Sequence, residues 1–192
     1  LLKGAAAVLG LLTAAEAGGT AYFYRRTMKR YNAKTERTMK MSGVDWEKYF
    51  PLMHERHDWM MEQPHEDVWI TSHDGLKLHG TYFEGDGGNK AVICFHGYTS
   101  RGIDDYGSLS YYYLNHGFRM LLIDERAHGE SEGTYIGFGT MDRLDGMEWV
   151  KWMIDKIGDD AQILLHGNSM GGAAVCMMSG LKLPPQVKGI VS

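Results

Sequence analysis

The chain has 192 residues, 44% of them hydrophobic and 23% charged, proportions that fit one folded domain with a real core and exclude a disordered or low-complexity chain. Its net charge of −4 hides a split: residues 25–40 carry Arg25, Arg26, Lys29, Arg30, Lys34, Arg37 and Lys40 against Glu36 alone, whereas residues 41–192 carry 12 Lys and Arg against 22 Asp and Glu. An acidic body excludes nucleic acid as the expected partner and does not favour a polyanionic substrate.

Residues 1–24 are mostly Ala, Leu, Gly and Val, with Lys3 and Glu16 the only charges. The span from Gly4 to Tyr24 matches the roughly 20 residues that cross a bilayer. Three readings compete, a transmembrane anchor, a cleaved signal and an apolar helix docked on the protein, although a signal would want its positive charges in front and a shorter apolar core. Tyr22, Phe23 and Tyr24 followed by Arg25 and Arg26 look like an interface belt and a charged stop, which favours the anchor. Glu16 speaks against it, since a carboxylate in hydrocarbon is costly. The basic cluster on the C-terminal side would leave the body in the cytoplasm. Residues 25–65 read as a basic juxtamembrane stretch and a helical linker, with Pro51 dividing residues 45–63 into two short helices. His54, His57 and His65 lack the Cys or carboxylate spacing of a metal site and read as surface or packing side chains.

From Glu66 the pattern changes. Runs at 68–71 and 76–83 flank His73-Asp74-Gly75, a turn signal, and predict a β-hairpin. Residues 85–89 form a loop, and 91–95 are a continuous apolar strand of the kind buried inside a parallel sheet. A helix is predicted over 104–116, closed by Gly117, then a strand over 118–123. A longer helix over 140–157 places Leu144, Met147, Val150, Ile154 and Ile157 on one face and ends at Gly158. A strand over 161–165, a helix over 171–181 and a strand over 187–191 follow. This alternation predicts an α/β fold, a mostly parallel sheet with helices on both faces. Cys94 in a strand and Cys176 in a helix make no disulfide framework and read as small buried hydrophobes.

The chemistry gathers at Gly167-Asn168-Ser169-Met170-Gly171, a Gly-x-Ser-x-Gly between an apolar strand and a small-residue helix. Glycines at 167 and 171 allow a reversal tight enough to lift the Ser169 hydroxyl off the backbone. The first N–H groups of the helix are aimed at the same point. The loop His96-Gly97-Tyr98-Thr99 ends an earlier buried strand, and strand carboxyl ends converge on one crevice. Acyl transfer through Ser169 needs two backbone donors for an oxyanion, and the N–H groups of Tyr98 and Met170 are the candidates. His96, upstream of the serine, reads as an organiser of its loop rather than as the general base. Because a base-activated side chain is the nucleophile, neither metal nor organic cofactor is called for.

These segments, together with Asp124-x-Arg126-x-His128-Gly129-x-Ser131, resemble the α/β-hydrolase superfamily, in particular its serine esterase and prolyl-oligopeptidase-like branch. The resemblance spans residues 66–192. Ala127 stands where glycine is commoner in the family. The resemblance implies hydrolysis of a small carboxylic ester, with a short peptide or amide as the alternative substrate and a non-catalytic binding module as the reading from another class. A serine nucleophile argues against the dehalogenase and epoxide hydrolase branches. In the family the catalytic acid and histidine follow the serine, and no Asp, Glu or His follows Ser169 here. The resemblance therefore implies that residues 66–192 are the N-terminal part of a hydrolase domain whose triad partners and cap lie further on, and that the 192 residues alone have little activity.

Overall fold

The computed structural model describes residues 2–30 and 47–192. The strands are β1 (His65–Thr71), β2 (Lys77–Phe83), β3 (Lys90–Phe95), β4 (Phe118–Ile123), β5 (Gln162–Gly167) and β6 (Val187–Val191). The helices are α1 (Leu2–Met28), α2 (Phe50–Glu62), α3 (Gly102–Asp105), α4 (Gly107–Asn115), α5 (Asp142–Ile157) and α6 (Met170–Met178). The strands form one mixed sheet in the order β1-β2-β4-β3-β5-β6. The β4-β3-β5-β6 portion is parallel, and the predicted hairpin, β1 with β2, joins it antiparallel through β2 and β4. The hairpin turn is closed by Ser72, whose hydroxyl donates to Asp74 and accepts from the Leu76 N–H.

Strand β3 is buried from Ala91 to Phe95 because it lies between β4 and β5 and is covered on both faces. Side chains alternate across a strand, and the core divides accordingly. Ala91, Ile93 and Phe95 pack with Trp149 and Met153 of α5 and Val175 of α6. Val92 and Cys94 pack on the opposite face with Tyr113 and Leu114 of α4 and Met60 of α2.

Several elements differ from expectation for identifiable reasons. Pro51 does not divide the helix it sits in. It occupies the first turn of α2 after a single 3-10 turn at Glu47–Tyr49, where a missing N–H costs nothing. The helix expected over 104–116 is broken at Tyr106 into α3 and α4. The break turns the Tyr106 ring inward, where its hydroxyl bonds to Phe95 O at 3.0 Å and His166 O at 2.9 Å and ties together the ends of β3 and β5. On α5 the fully buried stripe runs through Gly146, Trp149, Val150 and Met153. Of the five residues placed on that face from sequence, Val150 is fully buried, while Met147, Ile154 and Ile157 flank the core. Cys94 is buried as expected, but Cys176 is exposed.

The N-terminal helix forms, at 27 residues. Among the described residues, however, no helix is long and apolar enough to cross a membrane. Gly10, Thr13, Glu16, Gly18, Gly19 and Thr20 dilute the apolar run, so the transmembrane span expected for residues 1–24 is not supported. The basic stretch beyond Arg30 lies outside the described residues.

Helix α2, within the stretch read as a linker, packs on α4: Trp59 meets Tyr111 with ring centroids 4.9 Å apart, the Arg56 guanidinium lies 3.4 Å from the Tyr111 ring centre, and Met60 is fully buried. Truncating Met60 to alanine is expected to cost about 2–4 kcal/mol in urea denaturation. Leu52→Ala on the exposed side of the same helix should stay within about 0.5 kcal/mol of the parent.

Candidate active site

Strand β5 passes into α6 through a reversal whose middle residue, Ser169, is exposed and holds φ 54° and ψ −110°. An L-residue reaches this left-handed region only under strain of order 1–3 kcal/mol. The two flanking glycines are demanded by contact. A Cβ on Gly167 would lie 2.2 Å from Gly171 O, and one on Gly171 would lie 2.1 Å from Phe95 O. Backbone bonds fix the turn against β3: the Asn168 N–H donates to Phe95 O at 3.0 Å, and the Gly171 N–H to His96 O at 3.0 Å and Asn168 O at 2.9 Å.

The loop after β3 is pressed against this turn, since a Cβ on Gly97 would come within 3.4 Å of the Ser169 Cβ. The His96 ring is buried: its Nδ1 bonds to Gly97 O at 2.8 Å, and its Nε2 accepts from the Glu125 N–H at 3.0 Å. Asp105, in α3, braces loop and turn together. It accepts from the Gly97 N–H at 2.6 Å, from Asn168 Nδ2 at 3.3 Å and from the Ser100 hydroxyl. The Tyr98 ring stacks on Phe138 and packs with Met170, Ala127 and Ile136. The Met170 N–H, first in α6, has no intrahelical acceptor. The Ser169 hydroxyl has no hydrogen-bond partner among the described residues.

The segment after β4 supports the loop from behind. Arg126 is held by two bidentate pairs, to Asp145 at 2.6 and 2.7 Å and to Asp74 at 3.0 and 3.0 Å. The Ser131 hydroxyl donates to Asp124 O and accepts from the His79 N–H, while the Asp124 carboxylate accepts from the Glu130 N–H and bonds His79 Nδ1. Ala127 sits at φ 62°, a conformation that glycine adopts without strain. His128 accepts the Thr99 N–H on Nε2 and bonds Arg126 O through Nδ1. Burial, and then the neighbouring His96, depress its pKa to about 4, so the ring is neutral at pH 7. Glu125 is buried with neither carboxylate oxygen partnered among the described residues. Burial, with Asp142 and Asp145 nearby, pushes its carboxyl well above the usual range.

A strand-turn-helix serine facing a loop from the next strand is an arrangement with known relatives. The family model described as the alpha/beta hydrolase fold matches residues 90–192. The chain belongs to the α/β-hydrolase family. Within the family, the Pyrococcus furiosus esterase Pf2001 superposes with a TM-score of 0.58 at 33% identity, over 65% of this chain and 48% of that one. The Bacillus subtilis (strain 168) uncharacterized protein YqkD is 31% identical over 94 residues, 48% of this chain and 30% of that protein. The α/β hydrolase GrgF from Penicillium sp. sh18, at 24% identity and TM-score 0.59 over 66% of this chain and 44% of that one, shares the fold. The chain thus spans less than half the length of these relatives.

Beside the α/β-hydrolase turn, the structure brings in an element that sequence reasoning set apart. The end of α1 is tied to the rim: the Tyr98 hydroxyl donates to Thr27 O at 3.1 Å, the Ile136 N–H to Met28 O at 2.7 Å and the Arg30 N–H to Thr134 O at 2.8 Å. The Arg30 guanidinium hydrogen-bonds Gly129 O and Ser131 O. Between α1 and the Tyr98-Thr99 loop lies a cleft of about 920 Å³. Asp105 and the α1 wall were missed because nothing local marks them: each acts on residues far away in sequence. His54, His57 and His65 do not converge. The metal-capable trio among the described residues is His73, Asp74 and Asp145, and Arg126 already supplies a cation to both carboxylates.

Two outcomes follow from this geometry. Gly171→Ala forces a Cβ onto a backbone carbonyl that cannot step aside, so the variant should lose several kcal/mol by urea denaturation, or fail to fold. His128 is neutral in the fold at about 4 against 6.5 when unfolded, so the stability it contributes is present above pH 6.5 and drains as pH falls toward 4. The stability gap between the parent and His128→Asn should therefore narrow between pH 7.5 and pH 4.5; a gap that stays constant would show that His128 does not titrate in this way.

Proposed function

We propose that the chain carries the nucleophile and oxyanion hole of a serine hydrolase that cleaves carboxylic esters through an acyl-enzyme on Ser169. The observation that carries this reading is the exposed, strained Ser169 pressed against Gly97. A carbonyl carbon within reach of Ser169 Oγ would set its oxygen between the first N–H of α6, on Met170, and the N–H of Tyr98. Two preorganised donors of this kind lower the barrier by several kcal/mol, since removing one typically costs ~10²–10³ in kcat. The Gly167 and Gly171 contacts keep the turn shut, and Asp105 and the His96 ring hold the loop at its distance, so neither donor has to move as charge develops. The likeness to an esterase at 33% identity favours an ester over a peptide.

In the family's order the general base is a histidine that follows the serine, and none follows Ser169 within these 192 residues. Neither nearby ring is free to take the serine proton, because His96 and His128 each bond backbone groups through both nitrogens. Attack by Ser169 Oγ gives a tetrahedral intermediate. Its collapse expels the alcohol, and water then releases the acid.

Fluorophosphonate labelling of the full-length protein tests the assignment. The expected outcome is one labelled site, abolished in Ser169→Ala at unchanged stability. A folded, full-length protein that never labels would remove the hydrolase reading and leave a binding role for the fold.

A further inference from the structure

The cleft at the end of α1 is lined by Tyr22, Arg25, Arg26, Lys29 and Arg30 on the helix side and by Tyr98 and Thr99 on the other. Tyr22 and Arg26 are four apart in α1 and share a face, Arg25 precedes Arg26, and Lys29 and Arg30 continue the wall just past the helix end at Met28. Four basic side chains thus line the same space. Arg25, Arg26 and Lys29 are exposed and have no carboxylate partner among the described residues. Arg30 gives guanidinium N–H groups to two carbonyls, which carry no charge to offset its own. Cations do suit the C-terminal end of a helix dipole, but that accounts for their sign and not for a ligand-sized concavity around them. The opposite wall is the loop that abuts the nucleophile: Tyr98 follows Gly97, which lies against Ser169. In a chain that is acidic from residue 41 onward, this is a local positive field placed beside the reacting serine, where clefts concentrate ions of opposite sign.

We propose that this cleft receives an anionic group of the substrate, so that the ester cut at Ser169 carries a carboxylate remote from the scissile bond. The inference rests on the reading of Ser169 as nucleophile and adds a substrate class to it. A carboxylate matches the guanidinium fork in a bidentate way, and the Tyr22 and Tyr98 rings offer an apolar flank to the chain that links carboxylate and ester. The acidic body would repel such a substrate everywhere except at this mouth.

The test uses the full-length protein and two esters of equal length, p-nitrophenyl hydrogen glutarate and its neutral methyl ester. The anionic ester should have the higher kcat/KM, through a lower KM, and the preference should shrink as salt is raised from 20 to 500 mM. Replacing Arg25, Arg26 and Lys29 together by Gln, at exposed positions that leave the fold intact, should reduce the anionic-to-neutral ratio at least tenfold. Binding is followed separately in the Ser169→Ala protein. Amide shifts in a ¹⁵N spectrum on adding monomethyl glutarate should map to Thr27, Tyr98 and Thr99 and vanish in the triple Gln variant. Turnover with no preference for the anion, together with no shifts at those amides, overturns the inference while leaving the nucleophile standing. Absent turnover with shifts at those amides removes the hydrolase reading but keeps the anion site. Binding to phosphatidylglycerol vesicles with no response to monomethyl glutarate overturns it in favour of a lipid surface.

Discussion

The structure depends on a clash that is avoided. Strand β3 and the start of α6 approach so closely that the space for a side chain at residue 171 is already filled by a carbonyl of residue 95, and the space at residue 167 by residue 171 itself. Backbone-to-backbone contact of this kind cannot relax by choosing another rotamer. It holds the helix close against the strand, and the residue at the apex takes a positive φ of 54°. The exposed serine is the consequence of that closeness. The Tyr106 hydroxyl adds a second tie across the same two strand ends, so the platform beneath the serine is bonded as well as packed.

Around this platform the protein buries a number of charges, and it does so unevenly. Arg126 is fully engaged by two carboxylates, an arrangement in which removing one partner would leave the other exposed to the low dielectric of the interior. Glu125, next in the chain, is treated in the opposite way: its backbone N–H serves the His96 ring while its carboxyl sits without a partner among the described residues. Burial raises the pKa of a carboxyl in that position, and it is tolerated for the sake of the loop that its backbone supports. Sites that preorganise polar groups commonly carry such local costs.

Much of the fold was legible because strand and helix periods were clean. Residues 118–123 and 187–191 form strands where predicted, the hairpin turns at Asp74-Gly75, and the Gly-x-Ser-x-Gly lies between strand and helix. What was not legible depends on distance in sequence. Tyr106 breaks a helix that its local pattern favours because its hydroxyl is needed at two strand ends. The α5 stripe is rotated toward Trp149 because Gly146 lets the helix approach Phe95 and Met178 closely. Asp105 is an ordinary acid in a polar stretch until α3 carries it to Gly97 and Asn168. Residues 1–30 read as apolar and then basic, a pattern that hydropathy assigns to a membrane; the hydrogen bonds of their last turn to the rim loop leave no trace in composition.

Those bonds at the end of α1 have a consequence for how the chain can change over generations. Three of them use main-chain atoms: the carbonyls of residues 27 and 28, which every amino acid supplies, and the N–H of residue 30, which every one except proline supplies. Substitution along the helix therefore leaves its attachment intact, and only Tyr98 and the Arg30 side chain tie the joint to particular residue types. An attachment that is indifferent to side chains lets the wall of the cleft drift in charge and size while its position is kept, so related chains could diverge in what they admit without first having to rebuild the platform that holds the serine.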